Sequence, residues 1–194
     1  MRKLFNALFL ILAFVMAYLL YKSIEEPIAF ADYRQKRKAV VVEQLETIRK
    51  AQEMYRDITG EFAHTFDTLN QVLKTEDFAL IKVIGDPDDP NFTGEITYDT
   101  TFRSALDSVR TLGIDLEKLR YVPFTDNKVE FEIDAQVVQY QSTEVPVVQV
   151  GTPWKNFMGE YADPRFAQYD RKYNPSAAIK FGDLSKPNLS GNWE

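Results

Sequence analysis

The chain has 194 residues and a net charge of −6; setting aside Arg2, Lys3, Lys22, Glu25 and Glu26 of its first 31 residues leaves 20 basic and 27 acidic residues. An acidic body of this kind argues against nucleic-acid partners, whose phosphates are bound by clustered Lys and Arg. With no cysteine, disulfides, thiol catalysis and thiolate metal sites are excluded, and the single histidine, His64, leaves little for an imidazole metal centre.

Leu4 to Tyr21 carries no charge over eighteen residues. As a helix it spans about 27 Å, just short of a ~30 Å hydrocarbon core. Lys22 can snorkel outward, Ser23-Ile24 can extend the span, and Tyr18 and Tyr21 sit where an interfacial aromatic belt belongs. This predicts a transmembrane anchor over 1–24. Two readings compete with it. Ala29-Phe30-Ala31 has the small-x-small form of a signal-peptide cleavage site, although the apolar run exceeds a usual signal core. A buried soluble helix is the other, but a surface apolar all round rarely fits so small a domain. Arg2 and Lys3 before the span favour a cytoplasmic N-terminus and a periplasmic C-terminal domain at the inner membrane. Arg34-Gln35-Lys36-Arg37-Lys38 weighs against that orientation, and reads as a solvated helix face near lipid headgroups.

Pro27 is expected to break or kink the helix. From Asp32 to Thr59, Val41, Leu45, Ile48, Tyr55 and Ile58 form an apolar stripe, and Gly60 follows as a stop. The reading is a kinked amphipathic stalk over 25–59, its first turns too polar to bury and its later half packed on the domain. Phe66, Leu69, Val72 and Leu73 predict a short helix capped by Thr65. Strands are expected over Phe78 to Ile84, then where Ile96, Tyr98, Thr100 and Phe102 alternate with polar residues, then at Val129, Phe131 and Ile133, then over Val145 to Val150. The middle thus reads as an antiparallel meander, with turn chemistry at Asp126-Asn127-Lys128. Beyond Gly151, Trp154, Phe157, Tyr161, Phe166, Tyr169 and Tyr173 recur among Pro, Asn and Asp. Asp163-Pro164 predicts a helix start that puts Phe166, Tyr169 and Tyr173 on one face, and these aromatics are expected to dock the segment on the sheet rather than form a ligand cage. Ala178 to Asp183 reads as a last strand.

Catalytic chemistry finds little to use. His64 lies between Phe62 and Phe66 and reads as a turn residue; no glycine loop of nucleotide-binding form occurs, and no motif singles out a carboxylate pair for glycoside hydrolysis. The chain reads as no enzyme. Asp86, Asp88 and Asp89, with Pro87, Pro90 and Asn91, form an oxygen-rich loop suited to calcium, although its spacing is not that of an EF-hand and an ordinary solvated loop has the same composition.

Two resemblances follow from particular residues. Ala51-x-x-x-Tyr55-x-x-x-x-Gly60-x-Phe62, followed by Asp67-Thr68-Leu69, resembles the junction between long helix and head in type IV pilins and type II secretion pseudopilins. There Ala51 lets the helix lie close to the sheet, Tyr55 packs against it and Gly60 reverses the chain. The anchor departs from that family, lacking both its Gly-Phe processing site and the Glu five residues into the mature chain. Over nearly its whole length the chain also resembles a family of single-span envelope proteins of Bacteroidetes type. The residues carrying this likeness are Glu26-Pro27-Ile28, Ile48 to Phe66, Leu119-Arg-Tyr-Val-Pro-Phe-Thr125 and Gly191-Asn-Trp-Glu194. It implies a Gram-negative envelope and no particular activity.

The expectation is therefore an α+β protein: an N-terminal transmembrane helix, a long amphipathic helix packed on an antiparallel, pilin-like head over 60–151, and an aromatic-rich segment over 152–194 docked on that head. The functional expectation is a non-catalytic membrane-anchored subunit of an envelope assembly of secretion or pilus type, with envelope proteins or further copies of itself as partners. The alternative is a periplasmic module binding a peptide or glycan through the late aromatics.

Overall fold

The computed structural model describes residues 2–84 and 97–194. One helix, α1 (Arg2–Thr59), joins the apolar N-terminal run to the rest of the chain. It is followed by α2 (Phe66–Thr75), β1 (Asp77–Ile84), β2 (Thr97–Ser104), α3 (Ala105–Thr111), β3 (Glu132–Tyr140), β4 (Thr143–Pro153) and β5 (Ala178–Gly182). Three 3-10 turns, Trp154–Asn156, Gly159–Ala162 and Pro164–Gln168, connect β4 to β5. The chain is α+β, with a long apolar helix leading into antiparallel sheets.

The N-terminal part of α1 is long and apolar enough to cross a bilayer, and its most apolar stretch buries nothing within the protein. The helix then runs through Pro27 without a break; a break was one of the two outcomes expected there, the other being a kink. Proline removes one backbone donor and crowds the preceding turn. Tertiary contacts at Glu26 and Phe30, on either side of it, hold the helical path. Further along, Val41, Leu45, Ile48 and Ala51 are buried, as the apolar stripe predicts, while Tyr55 and Ile58 pack on the core half-exposed.

Thr65 caps α2 as expected: its hydroxyl accepts from the Thr68 amide at 3.2 Å, and Phe66, Leu69 and Leu73 turn inward. The strands form two sheets rather than one meander. β1 and β2 make an antiparallel ribbon with Ala79 opposite Phe102 and Leu80 opposite Thr101. β3, β4 and β5 make a separate antiparallel sheet with β4 in the middle. The ribbon was expected to be half-buried; instead Tyr98 and Phe102 are 66% and 68% exposed. Alternation predicted the strand, but among the described residues no second layer covers these two rings.

In the three-stranded sheet, Gln141 and Ser142 both take positive φ and close a two-residue hairpin between Tyr140 and Thr143. Asp126 and Asn127 do the same within a turn closed by the Lys128 amide on the Thr125 carbonyl, as the turn chemistry predicted. At Gly182 φ is +83°, and any Cβ would run into the Val148 carbonyl, so only glycine lets β5 lie this close to β4. β4 runs across residue 151, so the aromatic-rich segment begins inside a strand and returns β5 to the same sheet.

Candidate functional site

A cluster of aromatic and charged side chains joins α1 just beyond its apolar run to the segment between β4 and β5. Phe30 is 1% exposed and lies at its centre. Its ring stacks on Phe166 at 5.5 Å, meets Tyr173 edge-on at 5.1 Å, and is flanked by Tyr161 and Tyr169 at 5.7 and 6.2 Å. One turn back, the Tyr169 hydroxyl donates to a Glu26 carboxylate oxygen at 2.6 Å, and Arg165 approaches the other oxygen at 3.9 Å. One turn forward, Arg34 pairs with Asp170 and lies over the rings of Trp154 and Tyr173 at 5.3 and 5.9 Å. Arg37 donates to the Phe157 carbonyl and covers Tyr33 and Phe124, each at 4.4 Å.

These facts correct three expectations. The turns after Pro27 are not a free polar stalk, since an aromatic side chain among them enters the core. The late aromatics reach α1 through Phe30, Tyr33 and Arg34, a contact that docking on the sheet did not include. The basic run is not simply solvated: Arg34 and Arg37 are half-buried clamps, whereas Lys36 remains exposed and pairs with Asp32 at 2.7 Å. A signal was present in the chain. Glu26, Phe30, Arg34 and Arg37 recur at four, four and three residues, the spacing of one helix face. Reading the charges as a block concealed it. The predicted helix at Asp163-Pro164 is a 3-10 turn, capped by Asp163 accepting from the Arg165 amide at 2.8 Å, and Tyr173 comes round in the following turn.

The electrostatics suit a clamp. Backbone donation from Lys172, followed by the Arg34 guanidinium, holds the Asp170 carboxyl below its usual range. Burial pushes the Tyr173 phenol up to about 12, and its hydroxyl donates to the Tyr161 carbonyl at 2.7 Å. The hydrogen bond to Glu26 raises the Tyr169 phenol.

At the far end of α1 the residues singled out by spacing occupy the helix end and the turn that follows it. Ala51 and Phe62 are buried, Tyr55 packs on the core, and Gly60 turns the chain at φ +84°. Sequence reading missed the group that ties this turn together. Gln52 is fully buried, donating to the Ala63 carbonyl at 3.1 Å and accepting from the Ala63 amide at 2.9 Å. Such a pair substitutes for a backbone ladder at the helix reversal. Arg49 adds a second tie, donating to the Leu189 carbonyl at 3.2 Å and to Glu194 at 2.8 Å.

The chain matches no protein-family model, no curated protein and no solved structure.

The calcium candidates Asp86, Asp88 and Asp89 lie outside the described residues. Among the described residues, no group of three or more His, Asp or Glu is placed to hold a metal ion. His64 is exposed at the turn before α2. The described geometry fastens a domain to one rod, from Glu26 to the reversal at Gly60.

Proposed function

We propose that this chain is a non-catalytic, single-span subunit of a cell-envelope assembly of secretion or pilus type. Its N-terminus lies in the cytoplasm, α1 crosses the inner membrane, and the domain stands in the periplasm. The observation that carries this reading is the clamp at Glu26, Phe30 and Arg34. Only four residues, about 6 Å of helix, separate Lys22 at the end of the apolar run from the first fastening at Glu26. The domain therefore has no flexible tether. It is held at one height and one rotation against the bilayer, which suits a part that must meet neighbours in fixed geometry. The pilin-like junction at Ala51, Tyr55, Gly60 and Phe62 supports the same reading, because it makes helix and head a single body.

Retention of the anchor belongs to this proposal. Cleavage after Ala31 would cut α1 inside its fastened face and take Glu26 and Phe30 from the folded protein. The binding-module reading asked for an open aromatic cluster, and Phe30, Phe157, Phe166 and Tyr173 are instead buried together. Chemical cross-linking in native membranes tests the proposal. Higher-mass adducts of the full chain are expected, and recovery of monomer alone would count against it.

A further inference from the structure

The clamp uses one side of α1, and the opposite side carries an apolar stripe that nothing among the described residues covers. Taking about 100° per residue, Glu26, Tyr33, Arg34 and Arg37 all fall within about 60° of Phe30 around the helix. Ile28 lies about 160° from Phe30 and Ile24 about 120°, both facing away from the head. They are 64% and 61% exposed. With Tyr21, Glu25, Ala29 and Asp32 they line a shallow groove along the bare helix. The stripe is regular: Phe14, Ala17, Tyr21, Ile24, Ile28 and Ala31 follow one another at alternating steps of three and four. That is the a/d seam of a left-handed pair of helices.

Lipid does not account for all of it. A hydrocarbon core of ~30 Å starting at Leu4 is used up near Ile24. Ile28 stands about 6 Å further out, and Ala31 beyond that. Sinking the helix to cover them would drag Glu26 into the apolar layer, together with the Arg165 and Tyr169 side chains fastened to it.

We infer that α1 pairs along this seam with α1 of a second copy of the chain, in parallel. This deepens the assembly reading above, from which it takes the membrane placement. A second copy is the occupant that the geometry favours. It lies in the same bilayer with the same orientation, so its seam runs alongside from Phe14 to Ala31, inside and outside the membrane, without a change of register. Each head is fastened to the face of its own α1 that lies away from the seam, so the pairing covers none of the clamp. The flanking positions raise no electrostatic objection: Leu20 comes opposite Glu25, Pro27 opposite Asp32, and Arg34 opposite Ala39 of the partner, so no like charges are juxtaposed. Beyond Ala31 the seam positions become Gln35 and Lys38, and the pair is free to part.

The test uses the full chain in native membranes and exploits its lack of cysteine. Ile24→Cys, Ile28→Cys and Ala31→Cys are each expected to give several-fold more disulfide-linked dimer under mild oxidation than Lys22→Cys and Ser23→Cys, which lie off the seam. Adding Ile28→Glu to the Ile24→Cys chain is expected to reduce its cross-link several-fold while its amount in the membrane stays the same. Uniformly low cross-linking in chains that stay in carbonate-washed membranes would overturn the pairing and leave the anchoring intact, as would a maximum at Lys22 or Ser23. Recovery of the chains in the soluble fraction would overturn both.

Discussion

Replacing Phe30 by alanine probes the clamp where it is densest. The ring is all but inaccessible, so its removal forfeits about 2 kcal/mol of transfer free energy. It also leaves a cavity among Phe166, Tyr161, Tyr169 and Tyr173, whose edge-on and stacked contacts with Phe30 disappear. Those rings sit on 3-10 turns and loops, and some collapse is to be expected. The total for a buried Phe→Ala change of this kind is about 3–5 kcal/mol. Chemical unfolding of the full chain in nanodiscs, followed by tyrosine and tryptophan fluorescence, measures it. Limited proteolysis is the second readout, because the 154–177 segment loses its seat on α1 and is expected to become the first site of cutting. A loss below about 1 kcal/mol, with that segment still resistant, would refute the reasoning. It would mean that α1 beyond the membrane is a free stalk after all.

Gln52→Ala strands both the amide and the carbonyl of Ala63 in a buried turn, and is expected to cost about 2–4 kcal/mol in the same unfolding assay. Gly182→Ala is expected to abolish docking of β5, because the added methyl meets the Val148 carbonyl; loss of amide protection over Ala178 to Gly182 in hydrogen exchange reads it out. The Asp170 carboxyl is depressed in the folded chain, so its contribution is present above the unfolded carboxylate pKa and is lost as the pH falls through the lower folded value. Asp170→Asn is expected to flatten that acid limb of the stability profile. At the alkaline end Tyr173 has its pKa raised to about 12, so its contribution is intact below the ordinary tyrosine pKa and fades as the pH rises from there through about 12. Tyr173→Phe is expected to remove that alkaline loss, as measured by unfolding across the same range.

Much of this architecture is written locally. A charge-free run of eighteen residues, a threonine before Phe66 and a glycine after Thr59 mark the ends of helices through chemistry that acts within a few residues. An apolar run marked the first strand of the ribbon and alternation the second, for the same reason. Burial of the ribbon was not legible, because alternation reports two unlike faces and says nothing about whether a third layer exists. Nor was α3 foreseen: Ala105 and Val109 are its only buried positions, too few to establish a period over seven residues. The clamp failed to show for a different reason. The hydrogen bonds and ion pairs of Glu26, Arg34 and Arg37, and the ring contacts of Phe30, reach residues more than 100 positions away, and in isolation a charged juxtamembrane turn resembles a solvated one. Gln52 is the extreme case, since a polar residue on an apolar face is explained only by the chain reversal that brings Ala63 back to it.

The central claim is that the anchor stays in place and holds the domain on the periplasmic face. Protease added to spheroplasts tests it most directly, with an antibody to the C-terminus and a cytoplasmic protein as the control for lysis. The full-length chain is expected in the membrane pellet after carbonate washing, with its domain digested from outside while the control survives. A domain that resists protease until the spheroplasts are lysed, or a soluble chain beginning near Asp32, would contradict it.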